Sequence, residues 1–331
     1  MAGNLDHALA AMRAIAPPLD PKKHKGQAGK IAVIGGCREY TGAPYFSAIS
    51  ALKMGADLSH VFCTNGAATV IKSYSPELIV HPIFVESHEL ADESQESQQA
   101  TKNKTLREID RWISGFSCLV IGPGLGRDPL LLDCVSEIIR KARAKEIPMV
   151  LDGDGLFLVT SEPELISGYA LATLTPNINE HKRLAQKIKG AEHEVQTDKI
   201  PDELKSLASQ LGGVTILQKG FTDYMSDGTS VLACDFYGSP RRCGGQGDIL
   251  SGTVAVFTSW ARQCKGSSDM EKLSRNPCML GALAGSVLVR RAAQDAFTRH
   301  RRSTVTGNII ECLQASAAWT SCAPCDGSSK L

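Results

Sequence analysis

Short apolar runs rich in β-branched residues alternate with longer segments of helical period through most of the chain. Such runs, bounded by turn residues, are typical of strands. They occupy residues 30–34, 58–63, 78–84, 118–121, 149–152, 172–175 and 214–218. Because strands that alternate with helices build a parallel sheet covered on both faces, the pattern predicts an α/β three-layer sandwich with a mostly parallel central sheet.

Two segments interrupt this alternation. Residues 225–235 contain Ser226-Asp227-Gly228 as a turn between two short strands, which predicts a hairpin and antiparallel strands at one edge of the sheet. Residues 86–104 are polar and rich in Ser and Gln. That composition predicts an excursion on the surface rather than a boundary between domains.

The last third of the chain is mainly helical. Residues 279–296 and 304–319 have the clearest helical period and predict a layer of helices. We therefore predict one domain over residues 25–320, preceded by an N-terminal extension, 1–24, and followed by a C-terminal tail, 321–331.

The charges nearly balance, with a formal net charge of +1 and no long basic run in the sequence. The electrostatic footprint of a nucleic-acid-binding protein is therefore missing. No apolar stretch approaches the roughly 18 residues that cross a bilayer. The first residues of the chain fit neither a secretory signal nor a transit peptide. We expect a cytoplasmic protein without a nucleic-acid or membrane partner.

The cysteines are odd in number and scattered, several of them within apolar strands, which is typical of reduced, buried thiols. Cys322 and Cys325 form a lone CxxC motif near the C-terminus. A zinc or redox role for this motif is disfavoured, because the sequence has no second pair of ligands beside it.

Residues 243–252, CGGQGDILSG, join a glycine turn to the start of a helix. Gly244, Gly245 and Gly247 allow positive φ, so successive N–H groups can face an anion that the helix dipole also attracts. Asp248 lies at the junction. It is a candidate base beside a bound phosphate, or only an N-cap. The helix start is expected to lower the pKa of Asp248 and to leave it ionised at neutral pH.

Other turn motifs directly follow predicted strands, where ligand crevices form in open α/β sheets. The three glycines in Gly122–Gly126 exceed what a strand exit needs and favour close approach of a ligand to the backbone. For Tyr40–Pro44 a structural and a functional role remain equally open. The sequence contains neither the GxGxxG spacing of a Rossmann dehydrogenase nor a Walker A motif, so both classes are disfavoured.

Several carboxylates lie in these turns. Asp152 and Asp154 end a predicted strand, where a carboxylate orients metal-bound water or caps the next helix, and capping is the expected role of Asp154. Asn177 and Glu180 have the spacing of a capping box. Glu180 is also a candidate ligand of a hydrated Mg²⁺.

Positive charge lies close to the predicted phosphate site. Lys219 follows a strand and is either a solvated charge or a counter-charge for nucleotide phosphates. Arg241 and Arg242 immediately precede the glycine turn and add further positive charge.

Six motifs, taken in order, resemble the NAD(P)H-hydrate dehydratase family, which has a ribokinase-like fold. The motifs are YTGAP (40–44), GPGLG (122–126), DGDGL (152–156), TPNINEHKRL (175–184), KGFTD (219–223) and CGGQGD (243–248). The resemblance spans residues 25–320. The last motif and the adjoining SPRRC resemble the ATP-using eukaryotic branch of the family more than the ADP-using bacterial one.

The resemblance implies ATP-dependent dehydration of (S)-NADHX and (S)-NADPHX to NADH and NADPH through a phosphorylated intermediate, with release of ADP and phosphate. It also implies ATP as co-substrate, Mg²⁺ as cofactor, a homo-oligomer, and an NAD(P)HX epimerase as functional partner. A kinase of the same fold that retains a phosphorylated hydroxymethylpyrimidine or sugar is the alternative enzyme. A nucleotide-binding regulatory protein is a third hypothesis, against which the presence of Asp248 argues.

The family's site residues carry over by motif. Asp248 matches the catalytic aspartate. The implied substrate-binding residues are Gly124, Asn177, Ile178, Asn179, Glu180, His181, Lys182, Arg183 and Asp248. The implied ATP-binding residues are Lys219, Gly220, Phe221, Thr222, Asp223, Gly238, Ser239, Pro240, Arg241, Arg242, Cys243, Gly244, Gly245, Gln246 and Gly247. The chain departs from the family pattern at His181, where Phe is usual, and at Gly153, where Ala is frequent.

Overall fold

The computed structural model describes residues 12–18, 21–22, 24–264 and 274–316. Nine strands form one sheet in the order β3-β2-β1-β4-β5-β6-β7-β8-β9. The strands are β1 (Lys30–Ile34), β2 (Leu58–Thr64), β3 (Ile79–Phe84), β4 (Cys118–Ile121), β5 (Met149–Leu151), β6 (Ala172–Leu174), β7 (Thr215–Gln218), β8 (Asp223–Ser226) and β9 (Val231–Cys234).

The strands from β1 to β7 pair in parallel, and β8 and β9 continue the sheet in antiparallel pairing. All seven predicted parallel strands are therefore present. The predicted hairpin lies at the sheet edge, although β8 begins earlier than expected, at Asp223. In its turn, the carboxylate of Asp227 accepts the N–H groups of Thr229 and Ser230 at 3.0 and 3.1 Å.

Helices cover both faces of the sheet. They are α1 (Gly42–Met54), α2 (Asn65–Tyr74), α3 (Gln95–Asp110), α4 (Pro129–Ala144), α5 (Asp154–Ser161), α6 (Ile178–Lys189), α7 (Ile200–Gln210), α8 (Gln246–Gln263), α9 (Pro277–His300) and α10 (Thr306–Ser316). The last three form the predicted helical layer. Residues 317–319 of the predicted final helix lie outside the described residues.

The central strands bury side chains on both faces, which gives the domain two hydrophobic cores. In β1, Ile31 and Val33 pack under α1, α8 and α9, while Ala32 and Ile34 face the core beneath α4, α5 and α7. Alternate residues of a strand point to opposite faces, so a strand that is apolar throughout must be covered twice. The prediction of a three-layer sandwich is confirmed.

Two findings refine the predicted organisation. The polar stretch 86–104 is largely exposed as expected, but α3 begins within it, with Ser94 accepting a hydrogen bond from the N–H of Ser97 at 3.3 Å. Met12 and Ile15, from the predicted N-terminal extension, are buried in the core. The predicted tail, with Cys322 and Cys325, lies outside the described residues. Within the part of the chain that the structure describes, helices are too short or too polar to cross a membrane.

Candidate active site

The loops after β4, β5, β6 and β7 lie side by side because their strands are neighbours in the sheet. A cavity of about 170 Å³ opens between three of these loops and the start of α8. Four of the implied substrate-binding residues line it: Gly124, Glu180, Arg183 and Asp248. The motifs therefore meet in space at the carboxyl edge of the sheet, where open α/β sheets bind ligands.

Asp248 is the third residue of α8, which begins at Gln246 after the N-cap Gly245. The alternative that Asp248 is only an N-cap is therefore wrong. Burial raises the pKa of Asp248 to about 8, the charge of Asp152 adds to the rise, and Lys219 opposes it. The expectation that the helix start lowers this pKa is also wrong, because loss of water and a nearby carboxylate outweigh the helix dipole.

Asp152 and Lys219 form an ion pair below the start of α8. Nζ of Lys219 lies 2.9 Å from Oδ1 of Asp152, and the hydroxyl of Thr175 donates to the same oxygen at 2.8 Å. Burial by itself would lower the pKa of Lys219, but Asp152 and the carboxylates of Glu180 and Asp248 raise it. Lys219 is therefore a fixed positive charge rather than a solvated one.

The glycine turn lies directly over this pair. A Cβ atom at Gly247 would be 3.3 Å from Nζ of Lys219 and 3.4 Å from Oδ2 of Asp152. Of the three glycines in the turn, Gly245 has positive φ, at 100°. Absence of a side chain at Gly247 thus keeps the turn close to the buried charges.

The C-terminal helices hold the same turn from outside. Sγ of Cys243 donates to the carbonyl oxygen of Thr304 at 3.0 Å, and the hydroxyl of Thr306 donates to the carbonyl oxygen of Gly244. The preceding residues are more open, since Pro240 and the two arginines after it are exposed. The start of α10 therefore fixes a loop that lies far from it in sequence.

The predicted capping box at the start of α6 is confirmed. Oδ1 of Asn177 accepts the N–H groups of Asn179 and Glu180 at 2.9 and 3.0 Å, and Oε2 of Glu180 accepts the N–H of Asn177 at 2.7 Å. Glu180 also lines the cavity. Capping and a role at the site are therefore compatible for Glu180.

Other side chains of the TPNINEHKRL motif differ in how far they are exposed to solvent. Lys182 is exposed to solvent, and Ile178 is half-buried. His181 is completely buried, and within the described residues neither of its ring nitrogens has a hydrogen-bond partner. Burial lowers the pKa of His181 to about 4. The structure thus places the side chain of His181 inside the domain rather than in the cavity.

Arg290 of α9 joins one segment expected to bind ATP, residues 219–223, to Phe236, which precedes the other segment. Its guanidinium donates to the carboxylate of Asp223 at 2.8 and 2.6 Å, and to the carbonyl oxygens of Gly220, Phe221 and Phe236 at 2.8, 2.8 and 3.0 Å. The Asp223 carboxylate is therefore committed to this ion pair.

The side chains around this junction differ in exposure. The ring of Phe221 is 84% exposed, Thr222 is half-buried, and Gly238 packs against the backbone of Arg290. Ser239 accepts the N–H of Arg241 at 3.0 Å. The junction therefore presents an exposed aromatic ring on a rigid base.

The capping role expected for Asp154 is wrong. Asp154 is the first residue of α5, and its Oδ2 accepts the N–H of Gly126 at 2.9 Å, while its Oδ1 lies 3.3 Å from Nε of Arg127. The guanidinium carbon of Arg127 lies 4.2 Å from the centre of the Phe157 ring. Arg127 and Phe157 both line the cavity, and the motifs did not identify them.

These features define what the site can do. A carboxyl group with a pKa raised to about 8 lies between a cavity and a glycine turn, with a partly buried lysine beside it. Such a group can accept the proton of a hydroxyl held in the cavity while the turn positions a phosphoryl group.

A family model for NAD(P)H-hydrate dehydratase matches residues 31–315. The chain belongs to the NAD(P)H-hydrate dehydratase family. An ATP-dependent (S)-NAD(P)H-hydrate dehydratase of Physcomitrium patens is 60% identical over 330 residues, which cover 95% of this chain and 96% of the relative. The Homo sapiens protein of the same name is 45% identical, over 93% of this chain and 82% of the relative.

Solved structures support the fold of this family member. A ribokinase-like superfamily protein of Enterococcus faecalis has a TM-score of 0.68 at 18% identity, with 95% of both chains covered. An ADP/ATP-dependent NAD(P)H-hydrate dehydratase of Bacillus subtilis, co-crystallised with ATP and Mg²⁺, has a TM-score of 0.63 at 16% identity, over 95% of this chain and 97% of that one. The ribokinase-like fold predicted for the family is confirmed.

Proposed function

We propose that the chain catalyses the ATP-dependent dehydration of (S)-NADHX and (S)-NADPHX to NADH and NADPH, with release of ADP and phosphate. The observation that carries this proposal is the position of Asp248, which lines the cavity and lies three residues after Gly245 of the glycine turn. One carboxylate would therefore be close to both a hydroxyl bound in the cavity and a phosphoryl group bound at the turn. The names of the relatives agree with this chemistry.

Phosphorylation solves a leaving-group problem. The hydrate carries a hydroxyl on the reduced ring, and hydroxide leaves poorly because water has a pKa of about 15.7. A phosphate group ionises near pH 6, so the difference is roughly ten pKa units, or about 13 kcal/mol in basicity, part of which lowers the barrier. The lone pair of the ring nitrogen then expels phosphate, and loss of a neighbouring proton restores the double bond.

We propose that Asp248 takes the hydroxyl proton as the oxygen attacks the γ-phosphorus of ATP and the bond to ADP breaks. The raised pKa supports this assignment, because a base works best when its pKa lies near the operating pH. Asp248→Ala should abolish turnover and leave ATP binding largely intact. Unchanged turnover would exclude Asp248 as the base.

The binding assignments are part of the proposal. Gly124 and the residues of the segment 177–183 other than the buried His181 bind the hydrate, and residues 219–223 and 238–247 bind ATP. The cavity position of Gly124 and Glu180 and the contact of the glycine turn with Lys219 support this division.

The site fits a hydrated Mg²⁺. Glu180 lines the cavity beside Asp248, and one of its oxygens caps α6 while the other has no hydrogen-bond partner among the described residues. Mg²⁺ keeps most of its waters and needs few protein carboxylates. When bound, the ion neutralises charge on the transferring phosphoryl group.

We further propose a cytoplasmic homo-oligomer that acts together with an NAD(P)HX epimerase. The chemical reason for the partner is stereochemistry, since the relatives are named for the (S) hydrate and the other epimer must be converted first. The balanced charge of +1 agrees with a small-molecule substrate rather than nucleic acid.

The test is incubation with ATP and purified (S)-NADHX, with the absorbance of the reduced ring and the release of ADP followed together. We expect the absorbance to return, with one ADP formed for each ring restored. A stable phosphorylated product without return of absorbance would instead identify a kinase. ATP binding without turnover of any substrate would identify a regulatory protein.

A further inference from the structure

Two arginines lie at the rim of the cavity that Asp248 lines. Arg127 comes from the loop after β4 and Arg183 from α6. Both are exposed, whereas Asp248 is partly buried, so the positive charges lie nearer to solvent than the proposed base. Arg127 is not part of any of the six motifs and has no role in the function proposed so far.

The guanidinium of Arg127 is held in one orientation. Its Nε lies 3.3 Å from Oδ1 of Asp154, and its flat face lies over the ring of Phe157 at 4.2 Å. Asp154 is itself fixed, because its other oxygen accepts the N–H of Gly126 at 2.9 Å. Among the described residues, the two terminal nitrogens of Arg127 have no hydrogen-bond partner.

Arg183 is held by a hydrogen bond to the backbone of its own helix. Its Nε donates to the carbonyl oxygen of Asn179 at 3.2 Å, and over the described ranges its terminal nitrogens likewise lack a partner. Two guanidinium forks therefore lie at one rim. The Nε atom of each contacts an acceptor, and the terminal nitrogens have no hydrogen-bond partner among the described residues. Such forks bind phosphate oxygens through two parallel hydrogen bonds.

The charges of the cavity are separated by depth. The side chains of Asp154, Glu180 and Asp248 line the cavity and are less exposed than the two arginines at the rim, and Asp154 and Glu180 bring negative charge to the interior. An anionic group is repelled by the interior and attracted by the rim. The proposed substrate has both kinds of part, since its hydrated ring is uncharged and its diphosphate is anionic. When the ring hydroxyl reaches Asp248, the diphosphate is left at the rim.

Resting on the proposed function, we propose that Arg127, oriented by Asp154 and Phe157, binds the diphosphate group of the hydrated dinucleotide, with Arg183 as a second ligand. Both hydrates carry this diphosphate, so Arg127 serves NADHX and NADPHX alike. It is a substrate-binding residue and takes no part in proton transfer.

The test compares the wild-type protein with Arg127→Met. The KM for each hydrate should rise roughly tenfold to hundredfold, as expected for loss of hydrogen bonds to a charged group, while kcat and the KM for ATP change by less than about twofold. With the hydrate of reduced nicotinamide riboside, which has no phosphate, the two proteins should have equal kcat/KM. Arg127→Lys, which keeps the charge without the fork, should lie between them.

Arg140→Met is the matched control. Arg140 has a similar side-chain exposure, 48% against 56% for Arg127, and pairs with Glu137 on α4 away from the cavity. We expect its kinetics to equal those of the wild type. Thermal unfolding of each variant checks that the fold is retained, and Phe157→Leu, which removes the aromatic support, should raise the KM for the hydrates in the same direction.

The outcomes separate this inference from the proposed function. An unchanged KM for the hydrates in folded Arg127→Met would overturn the assignment of Arg127. An equal fall in kcat/KM with the riboside hydrate would overturn it as well. A rise in KM for NADPHX alone would also overturn the assignment, because that result identifies a contact with the 2′-phosphate. If the wild type turns over no hydrate, the proposed function fails instead. Calorimetric binding of NADH, weaker in Arg127→Met, would then still support the diphosphate contact.

Discussion

Lys219 and Asp152 form an ion pair beneath the glycine turn, with 2.9 Å between Nζ and Oδ1. The side chain of Asp152 is 5% exposed and that of Lys219 is 24% exposed, so water weakens the pair little. Burial is the main cause of the raised pKa of Asp248; Asp152 adds to the rise and Lys219 opposes it. The pair therefore adjusts how readily the proposed base loses its proton.

The first prediction concerns pH. With a pKa of about 8, Asp248 is mainly protonated in the free protein at neutral pH and becomes an active base as the pH rises. The kcat/KM for the hydrate should therefore increase with pH and level off above an inflection near pH 8. Asp152→Asn removes a negative charge and should move the inflection down by roughly one unit.

A pH-rate profile from about pH 6 to pH 9 checks this prediction. Asp133→Asn is its control, because Asp133 is a carboxylate on the outer surface of α4, paired with Lys102. That variant should keep the wild-type inflection. A flat profile for the wild type, or an inflection that Asp152→Asn does not move, would contradict the assignment.

His181 carries the second prediction. Its native pKa of about 4 lies below the ordinary value of 6.5, so the unfolded chain binds a proton that the native state does not. The stability that depends on a neutral His181 is therefore fully present above about pH 6.5 and is lost as the pH drops towards 4. His181→Phe removes both this acid sensitivity and two unpaired buried nitrogens. It should raise the free energy of unfolding by roughly 1–3 kcal/mol at neutral pH, and by more at acidic pH.

Urea unfolding at neutral and mildly acidic pH measures this effect. His88→Phe, at an exposed histidine, is the control and should leave the pH dependence as it is. Lower stability of His181→Phe at acidic pH would show that the site cannot accommodate the larger ring.

The glycine turn gives the third prediction. Gly245 has φ of 100°, and a Cβ there would lie 2.8 Å from Cδ2 of Phe46 and 2.9 Å from Cγ2 of Thr306. Gly245→Ala should lower the free energy of unfolding by roughly 1–3 kcal/mol. At the neighbouring Gly244 a Cβ would meet no atom within 4 Å, so Gly244→Ala should change it by less than about 0.5 kcal/mol. Equal destabilisation of the two variants in urea would contradict this account of the turn.

The fourth prediction concerns Arg290. Arg290→Met leaves the buried Asp223 without its charged partner and releases the carbonyl groups of Phe221 and Phe236 that the guanidinium joins. The free energy of unfolding should fall by roughly 3–5 kcal/mol. In protein that remains folded, the KM for ATP should rise at least tenfold, and more than the KM for the hydrate. Arg291→Met, at the exposed next residue of α9, is the control. A rise in both KM values by the same factor would show that the loss is only structural.

Local features were predictable from the sequence, and long-range ones were not. The capping box of Asn177 and Glu180 followed from spacing within one helical turn, and the strands followed from their apolar runs. The capping role predicted for Asp154 was wrong because the hydrogen-bond partner of this carboxylate, Gly126, lies 28 positions away. Such a contact leaves no local pattern.

The pKa of Asp248 likewise depends on contacts between residues that are distant in the sequence. The helix start near Asp248 can be predicted from the sequence. The burial that raises the pKa of Asp248 arises only when the chain folds and brings Asp152 and Lys219 close to it. Arg290 belongs to no motif, although it organises an expected nucleotide segment. Arg127 had one available signal, since it directly follows the GPGLG motif.

In the proposed reaction, the hydroxyl of the hydrate is phosphorylated before it leaves. The most direct measurement uses (S)-NADHX with a heavy oxygen isotope in the ring hydroxyl, followed by mass analysis of the released phosphate. If the oxygen attacks the γ-phosphorus and the carbon–oxygen bond then breaks, the label appears in inorganic phosphate. Label found in water, with unlabelled phosphate, would contradict the account.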